Sequence, residues 1–215
     1  MDTIVKRNSG HWIRRIAMLA VLFGMAPVTQ AGDYSHAYID STRSGMVTHY
    51  YIGSSIENEA TKFVITRDGK ETSENWRGYG LNTELGMELL KFMRISLNHA
   101  FMTAKSESAR GVDTTGSRFG VSNYFIFSSP IGNLEMGGGL NVSRYEFQEG
   151  YDRANIYGEN TYFGLGVNYY LSYGSSVFVR FRSGSDNGTY GSGPAIMESM
   201  KGKSEGISVG MCLWQ

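Results

Sequence analysis

Residues 78–89 read GYGLNTELGMEL. Taken alternately, Tyr79, Leu81, Thr83, Leu85, Met87 and Leu89 fall on one side, and Gly78, Gly80, Asn82, Glu84, Gly86 and Glu88 on the other. A period of two marks a strand with unlike faces. One face here is almost wholly apolar, while the other carries glycine and two carboxylates. On a soluble sheet the carboxylates would simply point at water. In a bilayer they must turn away from lipid, because a lipid-facing charge at the midplane costs about 2–4 kcal/mol. The fold therefore depends on whether the other strands repeat this pattern.

They do. Eight alternating stretches are read at 46–56, 78–90, 92–104, 115–128, 132–143, 159–172, 175–184 and 203–214. Outward apolar sets include Ile95, Leu97 and Phe101; Phe119, Val121, Phe125 and Phe127; Leu134, Met136, Leu140 and Val142; and Phe163, Leu165 and Val167. The opposite face collects Glu84, Glu88, Arg94, Arg118, Glu135, Arg180 and Arg182. Three acids and four arginines can pair with one another if that face is the lumen of a closed barrel. Each apolar face runs about 9–11 residues, the length a tilted strand needs to cross a bilayer. After Val142 the apolar residues change side, since Tyr145 and Phe147 share the glycine face; a bulge or the membrane rim explains this.

The connections agree. They run about 21, 1, 10, 3, 15, 2 and 18 residues, so long and short alternate strictly. Tight turns on one rim and long loops on the other fit an all-β, eight-stranded antiparallel up-and-down transmembrane barrel. The loop at 57–77 contains KFVITRDGKE, which predicts a strand passing beyond the membrane and turning at Asp68-Gly69. In the loop at 185–202, Pro194-Ala195-Ile196-Met197 forms an apolar tip and a candidate contact site.

The first 31 residues are of another kind. Lys6, Arg7, Arg14 and Arg15 precede an apolar run, Ile16 to Ala26, and Thr29-Gln30-Ala31 supplies small residues for cleavage. This reads as a secretory signal, followed by an extension at 32–45 and a barrel domain at 46–215. Leaving out the signal removes four of 20 basic residues and one of 20 acids, so 16 and 19 remain, a formal charge of −3. That balance does not suggest a nucleic-acid partner. Glycine is abundant at 28 residues and proline scarce at 3. Cys212 is the only cysteine, so no intrachain disulfide forms and the exported domain must be stabilised another way, of which a closed hydrogen-bonded barrel is one.

On these alternations the chain resembles the small eight-stranded bacterial outer-membrane β-barrels, including the OmpA transmembrane domain, OmpX and OmpW families. The resemblance covers residues 46 to 215 and assigns no subfamily. It implies a monomer in the bacterial cell outer membrane, inserted by the barrel assembly machinery, with loops outside and turns in the periplasm. Such barrels usually end on an aromatic residue preceded by alternating apolar positions. Ile207, Val209, Met211 and Leu213 fill those positions, but Gln215 replaces the terminal aromatic and Trp214 stands one place early.

Chemistry is sparse. The chain has no P-loop, G-x-S-x-G, H-E-x-x-H or paired-cysteine spacing, and nothing calls for a cofactor or metal. His99 shares the parity of Ile95 and Leu97, and is read as one of a lipid-facing polar pair with Asn123. The interior of eight strands is just wide enough for side chains, and Trp76, Tyr124, Tyr162, Tyr170, Phe178 and Trp214 are candidate fillers. Gly206 and Gly210 are read as making room for Arg180 and Arg182. The reading is a non-catalytic barrel with a structural, lipopolysaccharide-contact or surface-recognition role through its loops. Its rivals are a lipid A-modifying enzyme of the outer leaflet using His99, a narrow channel or carrier for small solutes, and a secreted lipocalin-like barrel.

Overall fold

The structure, a computed structural model, describes residues 47–67, 69–90, 92–107, 113–129, 132–149, 152–172, 174–192 and 199–215. The signal at 1–31, the extension at 32–45 and the apolar tip at 194–197 lie outside these. Eight strands follow one another: β1 (Val47–Arg67), β2 (Lys70–Leu89), β3 (Met93–Ser106), β4 (Asp113–Ser129), β5 (Gly132–Glu149), β6 (Asp152–Ser172), β7 (Ser175–Ser192) and β8 (Ser199–Trp214). Each pairs antiparallel with the next, and β8 pairs with β1 to close the barrel. The main chain of Gln215 completes the seam by exchanging hydrogen bonds of 3.1 and 2.9 Å with Tyr50.

A row of paired residues that leaves β8 at Val209 passes through Ile56, Leu81, Phe101, Ser117, Arg144, Tyr157 and Thr189. It returns to β8 at Ser199, so the shear is 10 residues (209 minus 199). Such stagger tilts the strands by about 35–45°. Each residue then advances about 2.5 Å along the barrel axis.

The strands are longer than the alternation predicts, and the long loops require correction. β1 runs 21 residues where 46–56 was expected, and β6 begins at Asp152 rather than 159. Consecutive strands are separated by two to six residues throughout. The segments taken for long loops are hairpin ladders that rise above the bilayer. Gly69 sits in the β1–β2 turn at φ +69°, a backbone state that favours glycine.

Strand parity holds along these ladders, but polarity inverts. In the lower barrel Ile52, Ile56, Leu81, Leu97, Phe119, Val142, Leu165 and Val209 are exposed. Higher on the same strands the exposed residues are Asn58, Lys62, Asn75, Lys105, Arg144, Asn187 and Lys203. Inside, the order is reversed. Carboxylates and guanidinium groups occupy the lower lumen, and a cluster of Phe63, Ile65, Trp76, Met102, Ala104, Tyr145, Phe147, Ile156 and Met200 fills the upper one. Below the waterline the barrel is built for lipid; above it, for water. The change of side after Val142 is this inversion at the rim, because β5 keeps an unbroken register with both neighbours there. Leu89, expected to face lipid, is buried at the lower end of β2.

Candidate functional site

Among the described residues, chemistry-bearing side chains converge in the lumen. Glu84, Glu88, Arg94, Arg118, Glu135, Arg180 and Arg182 all point inward, and all but the part-buried Arg182 are buried. In the lower tier Glu135 lies between two arginines, paired with Arg94 Nη1 and, at 2.8 Å, with Arg180 Nε. Arg180 reaches Glu84 through Nη1, and Arg94 Nη2 lies 3.8 Å from Glu88. Aromatic faces cover both cations: the Arg94 guanidinium sits 4.6 Å from the Trp214 ring centroid and 5.1 Å from that of Tyr51. Arg180 sits 4.1 Å from Phe178 and 4.9 Å from Tyr124. Trp214 donates its Nε1–H to Ser176 Oγ at 2.8 Å.

An upper tier brings in three carboxylates that the sequence reading assigned to loops: Glu57, Glu59 and Asp186. Arg118 grips Glu59 with two bonds of 2.6 and 2.7 Å and lies 3.6 Å from Asp186. Tyr145 accepts from Arg118 Nε at 2.9 Å and donates to Asp186 at 2.5 Å. Arg182 pairs with Glu57 and sits 4.0 Å from the Tyr162 ring. Continued parity from Tyr51 through Gly53, Ser55, Glu57 and Glu59 was the available signal for the missed acids on β1. A cavity of about 10 Å³ remains between the tiers, lined by Glu57, Asn82, Glu84, Arg180 and Arg182 among others. That is space for about one water molecule.

Glycine makes the tiers fit, but not where expected. A Cβ on Gly166 of β6 would lie 2.5 Å from Arg180 Cγ, so Gly166 houses that side chain. On β8, a Cβ on Gly210 would meet Phe178 Cζ at 2.6 Å. The two glycines of the closing strand therefore receive the β1 chain, and Gly210 also the ring of Phe178, rather than Arg180 and Arg182.

On the outer wall His99 and Asn123 are both exposed, but they do not form a pair. The β3–β4 ladder is zipped up to Lys105 and Asp113, which sets His99 opposite Phe119 and Asn123 opposite Ile95. The alternation places His99 close to Val121, beside Asn123; the observed register differs from that by two residues, as the closure of the hairpin dictates. The actual partner of His99 is Ser117, with Nε2 and Oγ 3.1 Å apart. No carboxylate stands directly opposite either residue on the neighbouring strands. Beside Ser117 a groove of about 460 Å³ runs along the wall, with Phe119 and Val142 below and Arg144, Tyr157 and Glu159 above. Among the described residues no group of three or more His, Cys, Asp or Glu side chains is placed to hold a metal.

No protein-family profile matches the sequence, and no curated protein matches it. Solved structures do. The chain is similar to Neisserial surface protein A at 14% identity, covering 76% of this chain and 96% of that one, with a TM-score of 0.50. OprG of Pseudomonas aeruginosa matches at 12% identity over 78% of this chain and 95% of its own, with a TM-score of 0.48. Ail, the attachment invasion locus protein of Yersinia pestis, matches at 13% identity over 76% and 98%, with a TM-score of 0.41. At 14% identity the likeness to the Neisserial protein is one of fold alone, and it agrees with the closed ring of eight strands. In fold, the chain is a small eight-stranded transmembrane β-barrel of the bacterial outer-membrane type.

Proposed function

We propose that this barrel is non-catalytic and serves as a rigid structural platform for lipopolysaccharide contact and surface recognition. The observation that carries the reading is the inversion of polarity along the strands. The upper barrel has its own apolar core inside and a polar face outside, so it stands in water as a walled extension rather than as loose loops. A lumen blocked by two ion-pair tiers and an aromatic cluster leaves little for a solute to pass through. The extension and its turns are then the surfaces through which the protein meets anything beyond its own membrane.

Two measurements test this reading. Planar-bilayer recordings of the refolded chain should show conductance near zero; a stable open channel overturns it. Cells with and without the protein should have the same lipid A acyl pattern by mass spectrometry. A second reading, an outer-leaflet lipid enzyme, is favoured by one observation only, the His99–Ser117 contact on the lipid-facing wall. A serine nucleophile needs a base, and that base needs an orienting group. The strand partners of His99 are Thr83 and Phe119, and neither is an acid.

A further inference from the structure

The seam between β1 and β8 carries an electrostatic anomaly. Lys62 and Lys203 are direct cross-strand partners, both exposed, and Lys201 follows two residues along on the same face. Opposed residues in an antiparallel pair have Cβ atoms about 4.5–5.5 Å apart, and like charges there are destabilising. Arg77 and Lys105, also directly opposed, are each relieved by a carboxylate, Glu107 at 2.6 Å and Asp113 at 3.8 Å, and Arg153 meets Glu146 at 3.5 Å, while Arg144 bonds Asn155 instead. Among the described residues none of the three seam lysines is in an ion pair. Glu205, two residues nearer the bilayer on the same face, lies opposite Ala60 and pairs with none of them.

The position of the patch says what would neutralise it. Ile56 and Ile207 close the apolar belt on these two strands. Lys203 lies four residues above Ile207 on β8, about 10 Å along the barrel axis. Lysine stems reach back along apolar surface while the ammonium stays in a polar layer, which brings these heads to the layer of lipid headgroups. We propose that Lys62, Lys201 and Lys203 form a binding site for the phosphate groups of an anionic glycolipid of the surrounding leaflet. Its occupancy removes the repulsion across the closing seam, so the lipid stabilises barrel closure as well as being bound. The proposal rests on the membrane placement and lipopolysaccharide contact argued above.

The test uses the full chain refolded in neutral detergent, with native mass spectrometry reporting bound lipid. The probes are bis-phosphorylated lipid A and the same lipid without phosphates. The phosphorylated form should bind more tightly. An attraction of about 1 kcal/mol per basic residue corresponds to about fivefold in affinity. Lys201→Gln should thus weaken binding about fivefold and Lys62→Gln/Lys203→Gln about 25-fold, while Lys105→Gln on β3, two strands from the seam, changes nothing. Heat-modifiable gel mobility confirms that each variant is folded. Equal binding of the two lipid forms, or binding indifferent to the lysines, overturns the seam site and leaves the platform reading standing. Displacement of the lipid by equimolar inorganic pyrophosphate marks a free-phosphate site and also overturns it. Recovery of the folded chain in the soluble fraction without detergent would overturn the platform reading itself.

Discussion

Replacing Glu135 by glutamine is the sharpest perturbation of the lumen, because one carboxylate there serves two arginines. Glu135 is fully buried, and Arg94 and Arg180 are 0% and 4% exposed. At an effective dielectric of about 20, unit charges 2.8 Å apart attract by roughly 6 kcal/mol before any desolvation is counted. Removing one member of a buried pair costs about 3–5 kcal/mol net, because the remaining charge stays in place without compensation. Here Glu84 and Glu88 keep partial contact with the two guanidinium groups, which favours the lower end of that range. A barrel of this size loses about 2–4 °C of thermal midpoint per kcal/mol, so Glu135→Gln should unfold about 6–20 °C earlier. The assay is the temperature at which the compact, heat-modifiable gel band converts to the unfolded one in detergent. Glu205→Gln, on the exposed outer wall of β8, is the control and should shift by less than 2 °C. If Glu135→Gln moves the midpoint no more than the control, the paired lumen is not what stabilises the barrel.

Other outcomes follow from the packing. Trp76→Ala opens the upper apolar cluster and should cost about 3–5 kcal/mol, read as a lower unfolding midpoint; an unchanged midpoint would mean that the cluster is not a core. Gly210→Ala forces a Cβ to within 2.5 Å of Ser55 Cβ and 2.6 Å of Phe178 Cζ, and should cost about 1–3 kcal/mol in the same assay. Cys212 is 0% exposed, so a maleimide should label it only after unfolding; rapid labelling of the folded barrel would contradict the lower aromatic cluster. Ser117→Ala and His99→Ala should leave the lipid A acyl pattern as it is, and a change on either substitution would revive the enzyme.

Much of this architecture was legible because parity is a local property. Glu84 and Glu88 follow from one stretch of twelve letters, and Arg94, Arg118, Glu135, Arg180 and Arg182 follow from the same alternation on other strands. The remaining acids were not legible because a strand is recognised from sequence by its apolar outer face. At Asn58 that face becomes polar, so the strand seemed to end while its inward residues, Glu57, Glu59 and Thr61, carried on unchanged. Asp186 was lost for the same reason, at the upper end of β7. Register was the other blind spot. Whether His99 meets Asn123 or Ser117 depends on the β3–β4 register, and a shift of two residues decides it.

The inversion of polarity also fixes a draught. A barrel that was apolar outside along its whole length could ride at any depth. Here a descent of two residues, about 5 Å along the axis, would carry Asn58 and Glu205 into hydrocarbon. The same step upward would lift Ile56, Phe119 and Val142 into water. Both movements are opposed on every strand at once, so immersion depth is written into the chain with no need of an external stop. Whatever touches the upper wall therefore meets it at a constant height above the lipid, as on a gauge.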